Sequence, residues 1–255
     1  MNGFGSLKAI MGNLDEMEDN NSTESQCKKG DKTKRIAKNA YIIETVNASF
    51  KYPNNDSYIL KNLNLKIKKG EKILLSGHSG VGKSTLIKLL MGFFPPTEGD
   101  IYIGSEKLNT KHDDSIEKIR RKISFLNQDT KLFKSTLFEN MIYGSTKNVV
   151  RGDVLWLLKS MNISIFDKLS NGLDTEVDVG GNSLSGGQKQ ITLLCRLYFR
   201  EANIVLLDEP ISAIDANSLP EVLRVIKYIS KEKTLLIISH SDKIKPIITR
   251  VIHLK

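Results

Sequence analysis

Eight consecutive residues, Gly77-His78-Ser79-Gly80-Val81-Gly82-Lys83-Ser84, carry the spacing G-x-x-x-x-G-K-[ST] of a phosphate-binding loop. Glycines let the backbone approach a phosphate and adopt conformations that other residues avoid. Successive N–H groups and the start of a following helix, here at Ser84 and Thr85, form an anion cradle. Lys83 can reach the terminal phosphates of a nucleoside triphosphate, and the Ser84 hydroxyl can hold magnesium. The second requirement of such chemistry is an acid on a distant strand. Asn203-Ile204-Val205-Leu206-Leu207-Asp208-Glu209-Pro210 supplies two. Asp208 can complete a magnesium shell, and Glu209, facing another direction, can accept a proton from an attacking water. A third segment, Leu184-Ser185-Gly186-Gly187-Gln188, places a serine and two glycines at a helix start, again a phosphate-seeking N-terminus.

The elements that must position these residues alternate between strand and helix. YIIETVNASFKY and ILKNLNLKI alternate in the manner of half-buried strands, with the PNND turn between them. KILLS reads as a short buried strand running straight into the glycine loop. The apolar helix STLIKLLMGFF follows and stops at Pro95-Pro96 and Gly99. GDIYI and KISFL read as strands flanking a short helix, DSIEKIRR. Residues 135–170 have helical spacing, which predicts a helical insert. A helix is expected from Ser185 to Phe199, then the strand NIVLLD, the helix NSLPEVLRVIKYIS, and the strands KTLLIIS and TRVIHL. Buried strands alternating with helices imply an α/β fold with a parallel sheet covered on both faces. No internal repeat is evident.

The 255 residues suffice for one large domain plus an appendage, and 40% apolar content supports a sizeable core. The formal net charge of +9 invites a nucleic-acid or anionic-membrane partner. No dense basic block is present, so a solvated lysine-rich surface accounts for it better, and no nucleic-acid partner is expected. Cys27 and Cys195 lie far apart without metal-ligand spacing, which fits a reducing compartment, with Cys195 a small core residue. No apolar run approaches the roughly 20 residues that span a bilayer, and the first residues lack a secretory pattern. Residues 3–18 carry loosely helical apolar spacing ending in an acidic cluster, and residues 19–35 read as a flexible polar linker.

The phosphate loop, Gln128, LSGGQ, the acidic strand, ISAID and His240 occur in the order and spacing of the ATP-binding-cassette family, which residues 41–255 resemble. The resemblance implies a P-loop NTPase core with a parallel sheet, an antiparallel β-subdomain and an α-helical signature subdomain over about 130–185. It implies a division into a connector and linker over 1–39 and an ATPase domain over 40–255. It also implies roles. Tyr52 resembles the aromatic that stacks on adenine. Gln128 resembles the glutamine that reaches magnesium and the attacking water. Asp215 resembles the aspartate that signals across a dimer, and His240 the switch histidine at the γ-phosphate. His78 is a variable loop position. In this family two cassettes pack head to tail, so Ser185, Gly186, Gly187 and Gln188 would meet ATP bound to the other copy.

KLFKSTLFENMIYG and LDTEVDVGGNSLSGGQ resemble exporter-type members, which fuse the cassette to a six-helix membrane domain. That makes a transmembrane domain, fused or separate, the expected partner, with the ATPase on the cytoplasmic or matrix side. Residues 3–18 would then be the tail of the last membrane helix. Competing readings are an importer subunit, a cassette acting on nucleic acid or ribosomes, and a degenerate binder. The exporter-like stretch, the single cassette, and the intact Glu209 and His240 argue against each in turn. Val179 stands where exporters carry a glutamate, Ile191 where an arginine is common, and the sequence stops sooner after His240 than members usually do.

Overall fold

The computed structural model describes residues 41–53, 55–108 and 113–255. The connector expected over 3–18, the linker over 19–35 and Cys27 lie outside the described residues. Two sheets organise the chain. The first is antiparallel and joins β1 (Tyr41–Phe50), β2 (Leu60–Leu63), β3 (Lys66–Lys68), β5 (Glu98–Ile103) and β6 (Glu106–Lys107). The second is parallel, with β4 (Lys72–Ser76), β7 (Ile123–Leu126), β10 (Ile204–Asp208), β11 (Thr234–Ile238) and β12 (Arg250–His253) in the spatial order β12-β4-β11-β10-β7.

The continuous apolar runs explain the second sheet. All four residues from Ile204 to Leu207, and all five of β11, are buried. Side chains alternate across a strand, so Val205, Leu207, Leu235 and Ile237 enter one core. Ile204, Leu206, Leu236 and Ile238 enter the other. Each fully buried side chain of this kind contributes about 1.5–3 kcal/mol. The second core is closed by the antiparallel sheet and by α1 (Lys83–Leu90), whose Leu86, Ile87, Leu89 and Leu90 are buried.

The first core is closed by helices. These are α3 (Leu137–Ile142), α4 (Arg151–Ser160), α5 (Gly186–Phe199) and α6 (Leu219–Ile229), whereas α2 (Asp113–Lys122), which precedes β7, sends Ile119 into the second core. In α6, Leu219, Val222, Val225, Ile226 and Ile229 form one buried face, and Pro220 stands in the first turn, where its missing N–H costs nothing. Cys195 is fully buried in α5, and burial pushes its thiol up to about 12. Arg196 of α5 ties in the insert by donating to the backbone oxygen and Oδ1 of Asn140, both at 3.0 Å.

Three stretches differ from the sequence reading. ILKNLNLKI forms two short strands instead of one: Asn62 adopts φ +48°, and the pairing of β1 with β2 shifts register between Ala48 and Phe50. The insert is not wholly helical, because β8 (Ser135–Thr136) and β9 (Glu176–Val177) pair antiparallel and clasp its two ends. A 3-10 helix over Asp242–Ile247, containing Pro246, links His240 to β12.

Candidate active site

The parallel register brings the site together. β10 lies between β7 and β11, with Leu207 opposite both Leu126 and Ile237, and Ile238 opposite Leu75 of β4. The four strands therefore end at one level. Beyond those ends stand Gln128 after β7, Asp208 and Glu209 at β10, His240 after β11, and the glycine loop after β4. This is where open parallel sheets bind ligands. Ser79, Gly80, Gly82, Lys83, Ser84, Thr85, Gln128, Asp208, Glu209 and His240 line a cleft of about 580 Å³.

The loop's glycines are required by space as well as by conformation. Gly77 has φ +152°, and a Cβ there would lie 2.8 Å from Val81 Cγ1 and 2.9 Å from the Leu254 carbonyl oxygen. Gly82 has φ +101°, and a Cβ would lie 2.8 Å from Leu60 Cδ2. Lys83, 8% exposed, starts α1 and folds back under the loop, where its ammonium donates to the carbonyls of Gly77 (2.8 Å) and His78 (3.0 Å). Val81 and Thr85 are buried beside it, whereas His78 and Ser79 are exposed, with His78 Nδ1 2.9 Å from the Ser79 carbonyl.

The acids face this loop. Ser84 Oγ donates to Asp208 Oδ2 at 3.2 Å. Burial raises the Asp208 carboxyl above its usual range, opposed by the Ser84 hydrogen bond and the Lys83 charge. Glu209 is raised too, chiefly by burial, with His240 opposing. Its Oε1 is buried without a hydrogen-bond partner and lies 3.7 Å from His240 Nε2. Glu209 also has φ +50°, a left-handed conformation costly for a residue with a Cβ. The Glu209 N–H, donating to the Ile238 carbonyl at 2.9 Å, fixes that turn. A buried carboxylate oxygen without a protein partner leaves hydrogen-bonding capacity open toward the cleft.

The signature segment is built differently. Ser185 caps α5: its hydroxyl accepts from Gln188 N–H (3.2 Å), and Gln188 Oε1 accepts from Ser185 N–H (3.0 Å). Gln188 Nε2 donates to the Ile165 carbonyl at 2.9 Å. Gly187 is buried, and a Cβ there would overlap Ser218 at the start of α6 and come within 2.8 Å of Ile165 Cδ1. Gly186 borders a neighbouring cleft of about 420 Å³, shared with Gln128, Asp208 and Glu209. Ser185, Gly187 and Gln188 do not line the phosphate-loop cleft of their own chain.

Two further residues remain apart from it. Asp215 is exposed, and its Oδ1 accepts from the N–H groups of Asn217 (3.0 Å) and Ser218 (2.9 Å), which hold its carboxyl below the usual range. Tyr52 is half-buried, edge-on to Phe50 at 5.0 Å and to Phe94 at 5.5 Å, and is not among the cleft's lining residues. Three lining residues escaped the sequence reading: Ile59, Ser212 and Ile238, the last buried at the end of β11. Ile59 gives the cleft an apolar wall; a lone isoleucine before β2 carried no signal. Ser212 also lines the cleft and donates to the Glu209 carbonyl at 3.1 Å. Its place three residues after Glu209, in a turn, was the available clue.

Comparison with known proteins agrees with this geometry. The family model described as ABC transporter matches residues 60–212. Multidrug resistance protein homolog 65 of Drosophila melanogaster is 35% identical over 80% of this chain. ABC transporter B family member 29, chloroplastic, of Arabidopsis thaliana is 35% identical over 89%. The solved structure of a bacterial Atm1-family ABC exporter with ATP bound superposes with a TM-score of 0.74 at 29% identity, covering 85% of this chain. The chain spans 16% and 36% of the two relatives' lengths and 38% of that structure. The chain therefore belongs to the ABC transporter family, and the fold described above is that family's nucleotide-binding ATPase domain.

Proposed function

We propose that this domain hydrolyses ATP to power export across a membrane, working with a transmembrane domain and as one half of a head-to-tail pair of cassettes. The observation that carries the catalytic part is the convergence of Lys83, Ser84, Gln128, Asp208, Glu209 and His240 on one cleft. The loop N–H groups and Lys83 would bind the phosphates. The donor set fits magnesium: Ser84, Asp208 and Gln128 offer oxygen only, and the first two stand within hydrogen-bond distance. Among the described residues no group of three or more His, Cys, Asp or Glu forms a metal cage. Magnesium is commonly held by a few protein oxygens together with substrate phosphates. Bound there, the ion would neutralise charge on the transferring phosphoryl group. Glu209, its carboxyl raised and one oxygen unpartnered, would take the proton of the attacking water, and His240 would hold the γ-phosphate end.

The dimer reading is supported by where Ser185, Gly187 and Gln188 stand, away from their own chain's cleft. A second copy facing it could cover bound ATP with these residues. The export reading rests on the likeness to exporters. No helix among the described residues is long and apolar enough to cross a membrane. On this reading the membrane-spanning part belongs to a partner or to sequence joined to this one, with residues 1–39 as the connector.

The test combines two variants. Glu209→Gln is expected to keep ATP binding, to slow hydrolysis on the order of 10²–10³-fold and to accumulate an ATP-dependent dimer on size-exclusion chromatography. Ser185→Arg introduced into that background should abolish the dimer. Unchanged turnover in the first removes Glu209 as the base, and persistence of the dimer in the second removes the trans arrangement.

A further inference from the structure

A groove of about 930 Å³ lies at the opposite ends of the parallel strands, where Lys69, Asn203 and Lys233 precede β4, β10 and β11. Nothing in the proposed mechanism uses it. Its volume is in the range that holds a small organic molecule. One wall is α4, which buries Val154, Leu157 and Leu158 but leaves Trp156 59% exposed. The floor is the C-terminal end of α5. There the Tyr198 ring stands edge-on to Phe199 at 5.2 Å and lies 6.0 Å from the Tyr228 ring, so it is held in place. The groove therefore offers a braced phenol ring and a free indole, surfaces on which a flat ring can pack.

Three cations border these rings without an acid of their own. Lys233 Nζ donates to the carbonyls of Leu197 and Arg200, both at 3.0 Å. An ammonium has three donors, so one is left for an occupant. Arg200 is folded over Gly144, where a Cβ would lie 2.7 Å from its Nη2. Burial, and then the charge of Arg200, pulls the neighbouring Arg196 guanidinium below its usual value, so positive charge is crowded here. Lys69 is exposed at the turn before β4. None of Lys69, Arg200 and Lys233 has a carboxylate within ion-pair distance among the described residues.

Most acids of the groove are committed elsewhere. Glu201 pairs with Lys147 at 3.1 Å, and Asp153 accepts the N–H of Val150 at 2.9 Å at the start of α4. Of the lining acids only Glu232 is left to face the three cations. Burial pulls the Lys233 ammonium down to about 8, so an anion beside it would stabilise its charged form. These features select the chemistry of an occupant. A neutral ring would leave the cations unmatched, and an inorganic anion would leave the Trp156 face unused.

We propose that this groove is a binding site for a small aromatic anion, whose ring lies on Trp156 and Tyr198 and whose single carboxylate, sulfonate or phosphate group is held by Lys69, Arg200 and Lys233.

Anilinonaphthalene sulfonate has this chemistry and fluoresces when shielded from water. Trp156 is the sole tryptophan of the sequence, so energy transfer from it to the probe reports the groove in the full chain. At the efficiency usual for ligands of this size, one probe per chain should bind with a Kd of about 30 µM. Phenylnaphthylamine, the same rings without the sulfonate, should bind about ten-fold more weakly, since a charge-assisted contact is lost. Lys69→Glu should weaken the sulfonate probe about five-fold. Trp156→Ala should weaken it about ten-fold, read from the probe's own fluorescence. Circular dichroism and melting temperature should stay at the wild-type values in both. Lys83→Ala, in the nucleotide cleft, should bind the probe as the wild type does. Absence of transfer from Trp156, equal affinity for the neutral analogue, or unchanged affinity in either groove variant would overturn the proposal. So would loss of binding in Lys83→Ala, which would place the probe in the nucleotide cleft.

Discussion

The phosphate-loop cleft and the signature segment are both glycine-rich turns leading into helices, yet they treat their polar groups in opposite ways. In the cleft, one carboxylate oxygen is left in want. Glu209 Oε1 is buried without a partner, its residue sits at φ +50°, and burial raises both acids. In the signature segment the cap is complete: Ser185 and Gln188 satisfy each other, and Gln188 anchors a third contact on Ile165. The cleft holds its tension until a charged substrate arrives. The signature is finished before anything arrives, and its glycines serve close packing on Ser218 and Ala213. On the proposed function, chemistry belongs to the first region, and shape presented to a neighbour to the second.

The contrast can be broken at several points. The largest effect is expected from Lys83→Ala, which removes the charge inside the loop arch. ATP turnover should fall on the order of 10³-fold, read by phosphate release, while the melting temperature stays close to that of the wild type. Turnover near wild type would remove the cleft from the chemistry. A smaller effect, on stability, is expected at the signature. Gly187→Ala must displace Ser218 and should cost about 1–3 kcal/mol in denaturant unfolding. Adding Ser218→Gly removes the obstructing Cβ and should restore much of it, since the Ser218 N–H bond to Asp215 survives. If the double variant is no better, Gly187 is there for a reason other than packing.

The smallest effect sharpens the cleft side. Burial raises the Glu209 carboxyl, so the folded state prefers it protonated. Its stabilising contribution is full below the ordinary glutamate value of about 4.3 and is lost as pH rises through the raised folded value. At neutral pH the ionised group is therefore a cost. Glu209→Gln should melt roughly one or two degrees higher than wild type at neutral pH, with the gap closing near pH 4. A gap that is independent of pH would mean that relief of the backbone turn, not of the charge, is responsible.

Much of this arrangement was legible in the sequence because it is written locally. The strand KILLS, the glycine loop and the run Ile204–Asp208 announce themselves by composition, and parallel strands with covering helices then leave their ends at one edge. What was not legible is set by distant partners. The left-handed turn at Glu209 depends on the carbonyl of Ile238, supplied by the neighbouring strand. The break in ILKNLNLKI depends on β1, whose bulge and whose separate pairings with β2 and β3 divide what reads as one strand. The β8–β9 clasp joins residues about forty positions apart by only two pairs, too short to outweigh the helical spacing around it. Tyr52 was named by its resemblance to an adenine-stacking aromatic, and what the sequence did not show is that its ring is braced edge-on by Phe50 and Phe94.

Helix α5 joins the two faces of the molecule. Its 14 residues make a rod about 21 Å long, clamped at the Ser185 end by the capping box and at the Phe199 end by the Lys233 ammonium. A rod held at both ends resists tilting, so in mechanical terms Ser185 keeps a fixed station relative to the far edge of the sheet where Lys233 stands.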